Sequence, residues 1–402
     1  MLNKTFPRVP YGMAVHDNEE VDAVLGVLRT STQMGQNVQQ FESKIANLFS
    51  KEYGLMVNSG SSALMLAAEV MELAPGSEVI TPALTFSTTV SCLIKNNLVP
   101  AFVDVQEGTY CIDPYKVERA INNKTRAICV PNLIGNLADW EVLAQIAKKY
   151  KLLVIEDSAD TLAATLNSNS SGFYSDISIT SFYGSHVINC AGNGGLVCFN
   201  SQEMYEKAKL LRSWGRSSSL FKDSEAIENR FDVKVDGIDY DAKFVFEVPG
   251  YNYEPSELGA AFGLVQLKKL ESNIDARIEN FNKHLKFFTK YQKWLVLPKQ
   301  QTGSRTGWLA FPLTVKSNAP FTRKELQIFL EKRNIQTRVV FSGNITRQPG
   351  FKNIKMSKSS DGYPEADKVM IGGFLIACHH GLDEEMINHI YESVDIFMSQ
   401  MA

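Results

Sequence analysis

Short apolar segments alternate with amphipathic helical patterns along the first 200 residues, and this alternation is the strongest constraint on the fold. Buried strands are expected where the apolar runs stand, and helices where apolar residues recur every three or four positions. Such an order is typical of an α/β protein with a mainly parallel sheet covered on both faces. The predicted strands are residues 54–57, 78–81, 101–105, 127–131, 152–157 and 177–180, and the predicted helices are 18–28, 38–50, 63–71 and 140–149.

The pattern changes after about residue 253. Residues 254–288 predict one long helix, with Leu258, Ala261, Leu264 and Leu267 on one side. Beyond it, strands at 308–315 and 337–341 are mixed with helices at 322–333 and 383–399. A chain of 402 residues also exceeds what one small core usually holds. We therefore expect a large domain over 1–254 and a smaller α+β domain over 255–402.

Charge and composition exclude several classes of function. A net charge of -3 gives no electrostatic reason to expect nucleic acid as a partner. No apolar run is long enough for a membrane span, and the N-terminus lacks a secretory pattern, so a cytoplasmic protein is predicted. The six cysteines form no C-x-x-C pair, which favours reduced thiols and predicts no metal site.

Two groups of polar residues follow predicted strands. The turn from Asn58 to Leu64 opens a helix, so the N–H groups near Gly60 and Ser61 suit a phosphate, although such a turn is equally typical of an ordinary N-cap. Ser181, at the end of another strand, could add a hydroxyl to the same anion.

A carboxylate and an aromatic ring complete the pattern. Asp157 ends an apolar strand, where ligands of open parallel sheets bind, and it could keep a ring nitrogen protonated. The alternative role for Asp157 is that of a helix N-cap. Phe86 follows a strand and could stack on a flat ring, although a lone aromatic is more often part of the core.

Together these motifs resemble the DegT/DnrJ/EryC1/StrS group of sugar aminotransferases, from about residue 12 to the C-terminus. Supporting segments are Gly35-Gln36-Asn37-Val38 and Gly250-Tyr251-Asn252-Tyr253. The resemblance implies the PLP-dependent transferase fold type I, with a mainly parallel seven-stranded sheet and a smaller C-terminal domain. It implies pyridoxal 5'-phosphate or pyridoxamine 5'-phosphate as cofactor, held by the residues named above. It also implies a homodimer with shared active sites, in which Asn252 reaches the phosphate of the neighbouring subunit.

One position departs from the aminotransferases. Ser181-Phe182-Tyr183-Gly184-Ser185-His186 has histidine where the family has its cofactor-binding lysine, and no lysine lies between Lys151 and Lys207. An imidazole cannot form a Schiff base but can move protons. The sequence thus resembles the 3-dehydratase branch, which removes the C3 hydroxyl of nucleotide-linked 4-keto-6-deoxyhexoses in deoxysugar and lipopolysaccharide O-antigen biosynthesis.

Two types of 3-dehydratase exist in that branch. One resembles GDP-4-keto-6-deoxy-D-mannose 3-dehydratase and uses L-glutamate; the other acts on a CDP-sugar with a [2Fe-2S] cluster and a reductase. Trp214-Gly215-Arg216 is followed by no cysteine before Cys378, which favours the glutamate-dependent type.

The resemblance assigns His186 as the catalytic base and makes Arg338 the candidate for gripping the glutamate carboxylate, because a guanidinium forks onto a carboxylate. The alternative for Arg338 is a surface arginine near a strand. Asp160 stands where aminotransferases usually have Gln or His, so the usual contact to the ring hydroxyl is not expected of it. A non-catalytic sugar-nucleotide binder stays open as a different class of function.

Overall fold

The computed structural model describes residues 6–223 and 226–401. Their strands are β1 Tyr53–Val57, β2 Glu78–Pro82, β3 Val99–Val103, β4 Thr125–Pro131, β5 Leu153–Ser158, β6 Thr165–Leu166, β7 Asn169–Ser170, β8 Ile177–Ser181, β9 Gly195–Phe199, β10 Val233–Val235, β11 Ile238–Tyr240, β12 Leu295–Val296, β13 Ser304–Arg305, β14 Ala310–Val315, β15 Arg338–Val339 and β16 Gly373–Ala377.

The α-helices of the same residues are α1 Asn18–Leu28, α2 Gln36–Leu48, α3 Gly60–Glu69, α4 Ser87–Lys95, α5 Pro114–Ala120, α6 Trp140–Tyr150, α7 Gln202–Arg212, α8 Ile227–Phe231, α9 Glu257–Lys268, α10 Leu270–Phe288, α11 Arg323–Lys332, α12 Pro364–Gly372 and α13 Glu384–Ser399. Among them, α1, α2, α3, α6, α11 and α13 lie within about three residues of predicted helices, whereas α4, α5, α7, α8 and α12 were not predicted.

A seven-stranded sheet forms the centre of the large part of the molecule. Its order is β1-β9-β8-β5-β4-β2-β3, and every neighbouring pair is parallel except those made by β9. The mainly parallel seven-stranded sheet is therefore confirmed. Strand β9 pairs antiparallel with β8 from Ile177↔Phe199 to Ser181↔Gly195, so the chain returns directly beside Ser181 after the loop that carries His186.

Helices cover both faces of this sheet. On one face α3, α4 and α7 pack on buried strand residues such as Leu55, Val79 and Ile155. On the other face α5 and α6 cover the β2–β4 region, while α2 and α9 pack near β9 and the His186 loop. The adjacent residues of one strand thus enter different cores, as the two-residue period of a strand requires.

The predicted long helix 254–288 is two helices in the structure. The chain turns at Lys269, which lies between α9 and α10, and its ammonium binds the carboxylates of Asp17 and Glu20 at 2.8 and 2.9 Å. Neither glycine nor proline lies at this junction, and the helical spacing of apolar residues continues across it, which is why the sequence predicted a single helix. Helix α10 continues into the C-terminal part, where Phe281 and Phe288 are buried.

A four-stranded antiparallel sheet of order β12-β14-β16-β15 organises the C-terminal part. Phe311 and Phe374 are buried in its core, which α11, α12 and α13 cover. The N-terminal segment also packs here, since Val9 bridges to Ile335. The division at 254/255 stays a prediction.

In the described part of the chain no helix is both long and apolar enough to cross a membrane.

Candidate active site

A cleft of about 370 Å³ lies at the carboxyl ends of the central strands. It contains six of the eight residues predicted for the site, and these come from four separate segments of the chain. They are Gly60, Ser61, Phe86, Asp157, Ser181 and His186. Parallel strands place their carboxyl ends at one edge of a sheet, so residues distant in sequence meet there.

The N-terminus of α3 forms one wall of the cleft. The Ser59 hydroxyl accepts the Ser62 N–H at 3.1 Å and caps the helix. The N–H groups of Gly60 and Ser61 belong to the first turn, whose amides have no partner within a helix. A side chain at Gly60 would stand 3.1 Å from the Ser181 hydroxyl oxygen, so this glycine lets strand β8 approach the helix. The N–H groups of Gly60 and Ser61, the positive end of the helix dipole and the hydroxyls of Ser61 and Ser181 suit a phosphate.

Asp157 lies at the opposite wall, at the end of β5, and is 4% exposed. Its Oδ2 accepts the Thr89 hydroxyl at 2.7 Å and its Oδ1 accepts the Ala159 N–H at 3.2 Å. Burial raises the pKa of this carboxyl above its usual value, while the two hydrogen bonds oppose that shift. No ion pair joins Asp157 to a cation among the described residues, so a cationic ring nitrogen would supply the missing charge.

Phe86 projects into the cleft at the start of α4. Phe86 is 50% exposed, and its ring makes a T-shaped contact with the ring of Phe341, at 5.9 Å between centroids and 82°. A large aromatic left this open in a cleft has a free face on which a planar ring can stack.

His186 stands on the loop between β8 and β9. Its Nδ1 lies 3.1 Å from the Ser181 carbonyl oxygen, which can only accept a hydrogen bond. The neutral ring therefore carries its proton on Nδ1, and Nε2 is its basic nitrogen.

The surroundings of His186 favour its neutral form. Burial, with a smaller effect of the Arg277 charge, lowers the pKa of His186 to about 4, although hydrogen bonds to the backbone of Ser181 and Ala159 act in the opposite direction. A neutral base at pH 7 is the result.

Asp160 and Tyr11 line the cleft as well, and the sequence assigned neither a role. Asp160 Oδ2 accepts the Ile134 N–H at 2.8 Å, and burial, with a smaller effect of Asp157, raises its pKa to about 7. Tyr11 comes from the N-terminal segment, where no local pattern marked it. Asp160 stands three residues after Asp157, and this spacing was the one signal that could have placed its carboxyl in the site.

The remaining two predicted residues lie outside the cleft. Arg338 is exposed, and its guanidinium lies 5.5 Å from the centroid of the Tyr11 ring, which itself lines the cleft. Asn252 is also exposed and pairs through its main chain with Ser213. Their assignments to glutamate and to a neighbouring subunit's phosphate stay predictions.

Comparison with known proteins gives consistent findings. The sequence pattern of the DegT/DnrJ/EryC1/StrS aminotransferase family matches residues 14–395. A dTDP-4-dehydro-2,6-dideoxy-D-glucose 3-dehydratase of Saccharopolyspora spinosa is 34% identical over 410 residues, covering 98% of this chain and 87% of the relative.

Solved structures agree with the sequence match. The E. coli GDP-4-keto-6-deoxy-D-mannose-3-dehydratase with bound hydrated PLP has a TM-score of 0.87 at 28% identity, covering 96% of this chain and 100% of that one. A GDP-4-keto-6-deoxymannose-3-dehydratase with a trapped PLP-glutamate geminal diamine has a TM-score of 0.86 at 26% identity, with coverages of 96% and 100%. The predicted PLP-dependent transferase fold type I is therefore confirmed.

Proposed function

The chain belongs to the DegT/DnrJ/EryC1/StrS aminotransferase family, and we propose that it is a glutamate-using 3-dehydratase of a nucleotide-linked 4-keto-6-deoxyhexose. The single observation that carries this proposal is His186. It stands in a cleft built for pyridoxal phosphate, at the position where the aminotransferases have their lysine.

The residues of the cleft fit the cofactor. The N-terminus of α3 with Ser61 and Ser181 can hold the phosphate, Phe86 has a free face for the ring, and the unpaired carboxyl of Asp157 can hold a protonated ring nitrogen. When bound, pyridoxal phosphate supplies an electron sink for breaking bonds next to its attached carbon atoms.

The absence of an amine separates this site from an aminotransferase. Among the described residues that line the cleft there is no lysine. A side chain that cannot form a Schiff base leaves the cofactor held by noncovalent contacts alone. It also cannot displace an amino sugar from the cofactor, so a dehydrated product is favoured over an aminated one.

We assign the proton transfers to His186 through Nε2. The Ser181 carbonyl fixes the tautomer of the imidazole, so Nε2 is the basic nitrogen of a ring that lines the cleft. Nε2 takes the proton from a carbon next to the attached nitrogen and can deliver it to the departing C3 hydroxyl. Asp157 stays ionised against the ring nitrogen throughout. A positioned base of this kind contributes about 10²–10⁴ to the rate.

The overall reaction balances with glutamate as reductant. Glutamate becomes 2-oxoglutarate and ammonia, and the sugar loses one oxygen atom at C3, so no external electrons are needed. The superposed dehydratase with a trapped PLP–glutamate species supports glutamate as co-substrate. GDP-4-keto-6-deoxymannose is the sugar nucleotide that we propose first, and the relative that acts on a dTDP-sugar makes dTDP the second candidate.

The decisive experiment uses purified protein with pyridoxal phosphate and L-glutamate, without iron or a reductase. We expect release of 2-oxoglutarate, and then a 3-deoxy-4-keto product and ammonia from one member of a panel of GDP-, dTDP- and CDP-4-keto-6-deoxyhexoses. Mass spectrometry that finds an amino sugar instead would identify an aminotransferase. Failure to bleach the aldehyde absorption with glutamate would favour a non-catalytic binder.

The cluster-dependent type makes a different prediction in the same assay, since it would turn over only with iron and a reductase. All six cysteines are free and buried. Across 6–223 and 226–401, no group of three or more His, Cys, Asp or Glu could hold a metal ion. These findings favour the glutamate-dependent type.

A further inference from the structure

Arg277 of α10 is a fully buried cation beside the cleft. Its side chain is 0% exposed, and within the described chain it forms no salt bridge with a carboxylate. The guanidinium instead donates to neutral acceptors. These are the His380 Nδ1 at 3.3 Å, the carbonyls of Trp308 and Leu309 at 3.0 and 3.2 Å, and the carbonyl of His186 at 3.3 Å. A charge without a counter-ion is expensive to bury, so its hydrogen bonds must be fully formed.

The acceptors lie on three separate segments around the cleft. His186 carries the proposed base, and Leu309 lines the cleft from the C-terminal part of the chain. Trp308 anchors that segment, since its indole stacks on Phe281 with 4.6 Å between centroids. A planar guanidinium can bind several acceptors at fixed angles, which an ammonium cannot. Arg277 thus connects the main chain of the base to the facing wall.

We propose that Arg277 is a positioning residue for His186, fixing the main chain from which the imidazole projects and thereby the place of Nε2 in the cleft. The inference rests on the proposed role of His186 as base.

The other contacts of the loop show why this bond matters. The His186 N–H bonds the Tyr183 carbonyl at 3.0 Å within a tight turn, and Asn273 of α10 donates to the Val187 carbonyl at 3.2 Å. Helix α10 therefore holds two successive carbonyls of the loop. Loss of the Arg277 bond would leave the turn joined to α10 by one neutral contact.

Several ionisable groups face His186 besides Arg277. Asp157 and Asp160 follow β5, Tyr11 comes from the N-terminal segment, and Tyr183 is on the same loop. A variant that keeps the positive charge of Arg277 therefore separates loss of position from a simple change of field.

The test is Arg277→Lys in the full-length protein, with ¹³Cε1-labelled histidines followed by NMR before cofactor is added. The His186 signal is assigned by its loss in His186→Asn. In the wild type this ring should stay neutral down to about pH 5, because its pKa is about 4. Arg277→Lys keeps the positive charge but loses the several fixed N–H donors of the guanidinium. We therefore expect the His186 signal to shift, and the pH midpoint of its titration to rise by at least about one unit, as water reaches the ring.

Kinetics provide the second readout. Misplacement of a reacting group by about 1 Å can cost roughly 10²-fold in rate. We expect kcat for 2-oxoglutarate release to fall at least about tenfold in Arg277→Lys, with the glutamate KM changed less than about threefold. Arg305→Lys is the matched control, since that exposed arginine pairs with Glu271 and Asp275 and should leave both readouts unchanged.

Gly307→Ala provides a second route if Arg277→Lys does not fold. Its new methyl group would stand 3.3 Å from the Ile274 Cα and 3.4 Å from Arg277 Cδ, so α10 must shift by a few tenths of an ångström beside Arg277 while the guanidinium keeps all its donors. The same His186 shift and kcat loss are expected, to a smaller extent. A folded variant with wild-type His186 titration overturns the inference, whatever its activity. If the His186 signal responds as expected but wild-type protein shows no glutamate reaction, the proposed function fails and the positioning role stands.

Discussion

Replacing His186 by asparagine tests the proposed base while disturbing little else. The asparagine amide can still donate to the Ser181 carbonyl, which the imidazole Nδ1 meets at 3.1 Å. It offers no lone pair in place of Nε2, because its amide nitrogen is not basic. The substitution therefore removes the proton acceptor and keeps the contact that fixes the loop.

The expected magnitude follows from the state of the ring. With a pKa of about 4, roughly one His186 ring in 10³ is protonated at pH 7, so nearly every molecule has the base available. Its loss should then lower turnover by the full contribution of a positioned base, about 10²–10⁴. Affinity for pyridoxal phosphate should change by less than about threefold, since Ser61, Ser181 and Asp157 remain.

The assay is stopped-flow absorbance of the aldehyde band after mixing with L-glutamate, together with titration of the cofactor. His16→Asn is the control, because that exposed histidine lies outside the cleft and should behave as wild type. The reasoning is refuted if His186→Asn binds cofactor and reacts within tenfold of the wild-type rate. In the wild type, activity should be lost as the pH falls through the His186 pKa, since the base must be neutral.

Three further outcomes are expected. His186→Lys should gain a covalent link to pyridoxal phosphate that borohydride traps, seen as a mass increase absent from the wild type. Ser181→Ala should weaken cofactor binding by about 10–100-fold, the worth of one hydrogen bond to a charged group, and an unchanged Kd would remove Ser181 from the phosphate site. Burial lowers the pKa of His284 and of His379 to about 4, so each contributes stability above pH 6.5 that is lost as the pH falls towards 4. Urea unfolding at pH 7 and 5 should show that each of these histidines costs about 1.4 kcal/mol of unfolding free energy for every pH unit below 6.5. In His284→Gln the unfolding free energy should fall less steeply with pH.

Six of the seven strands of the large sheet, and six of the residues that line the cleft, could be predicted because their signals are local. The apolar run that ends in Asp157 predicts a strand, and the serine–glycine turn before α3 predicts the start of a helix. Each pattern also predicts that its polar residues lie at the carboxyl edge of the sheet. Parallel pairing then brings such ends together without any knowledge of contacts. The resemblance to a family added the role of His186, which the spacing of residues alone did not assign.

What the sequence could not predict depends on contacts between distant segments. Tyr11 lines the cleft from the N-terminal segment, whereas Arg277, more than 200 residues away in sequence, bonds the His186 carbonyl from α10. Neither residue stands in a distinctive sequence pattern. The antiparallel direction of β9 is likewise absent from its composition, because an apolar strand can pair either way. The turn at Lys269 escaped for a similar reason, since Lys269 keeps a nearly helical φ of -93° and the apolar spacing continues.

The N-terminal segment has a practical consequence for anyone who shortens or tags this protein. Val9 forms a β-bridge with Ile335, the Pro10 carbonyl accepts a hydrogen bond from His379 Nε2 at 3.0 Å, and Tyr11 lines one wall of the cleft. Removal of this segment would spare every strand named above and still take Tyr11 away from the wall of the cleft. Such a shortened protein would keep the circular dichroism spectrum of the intact protein while lacking one wall of its cleft.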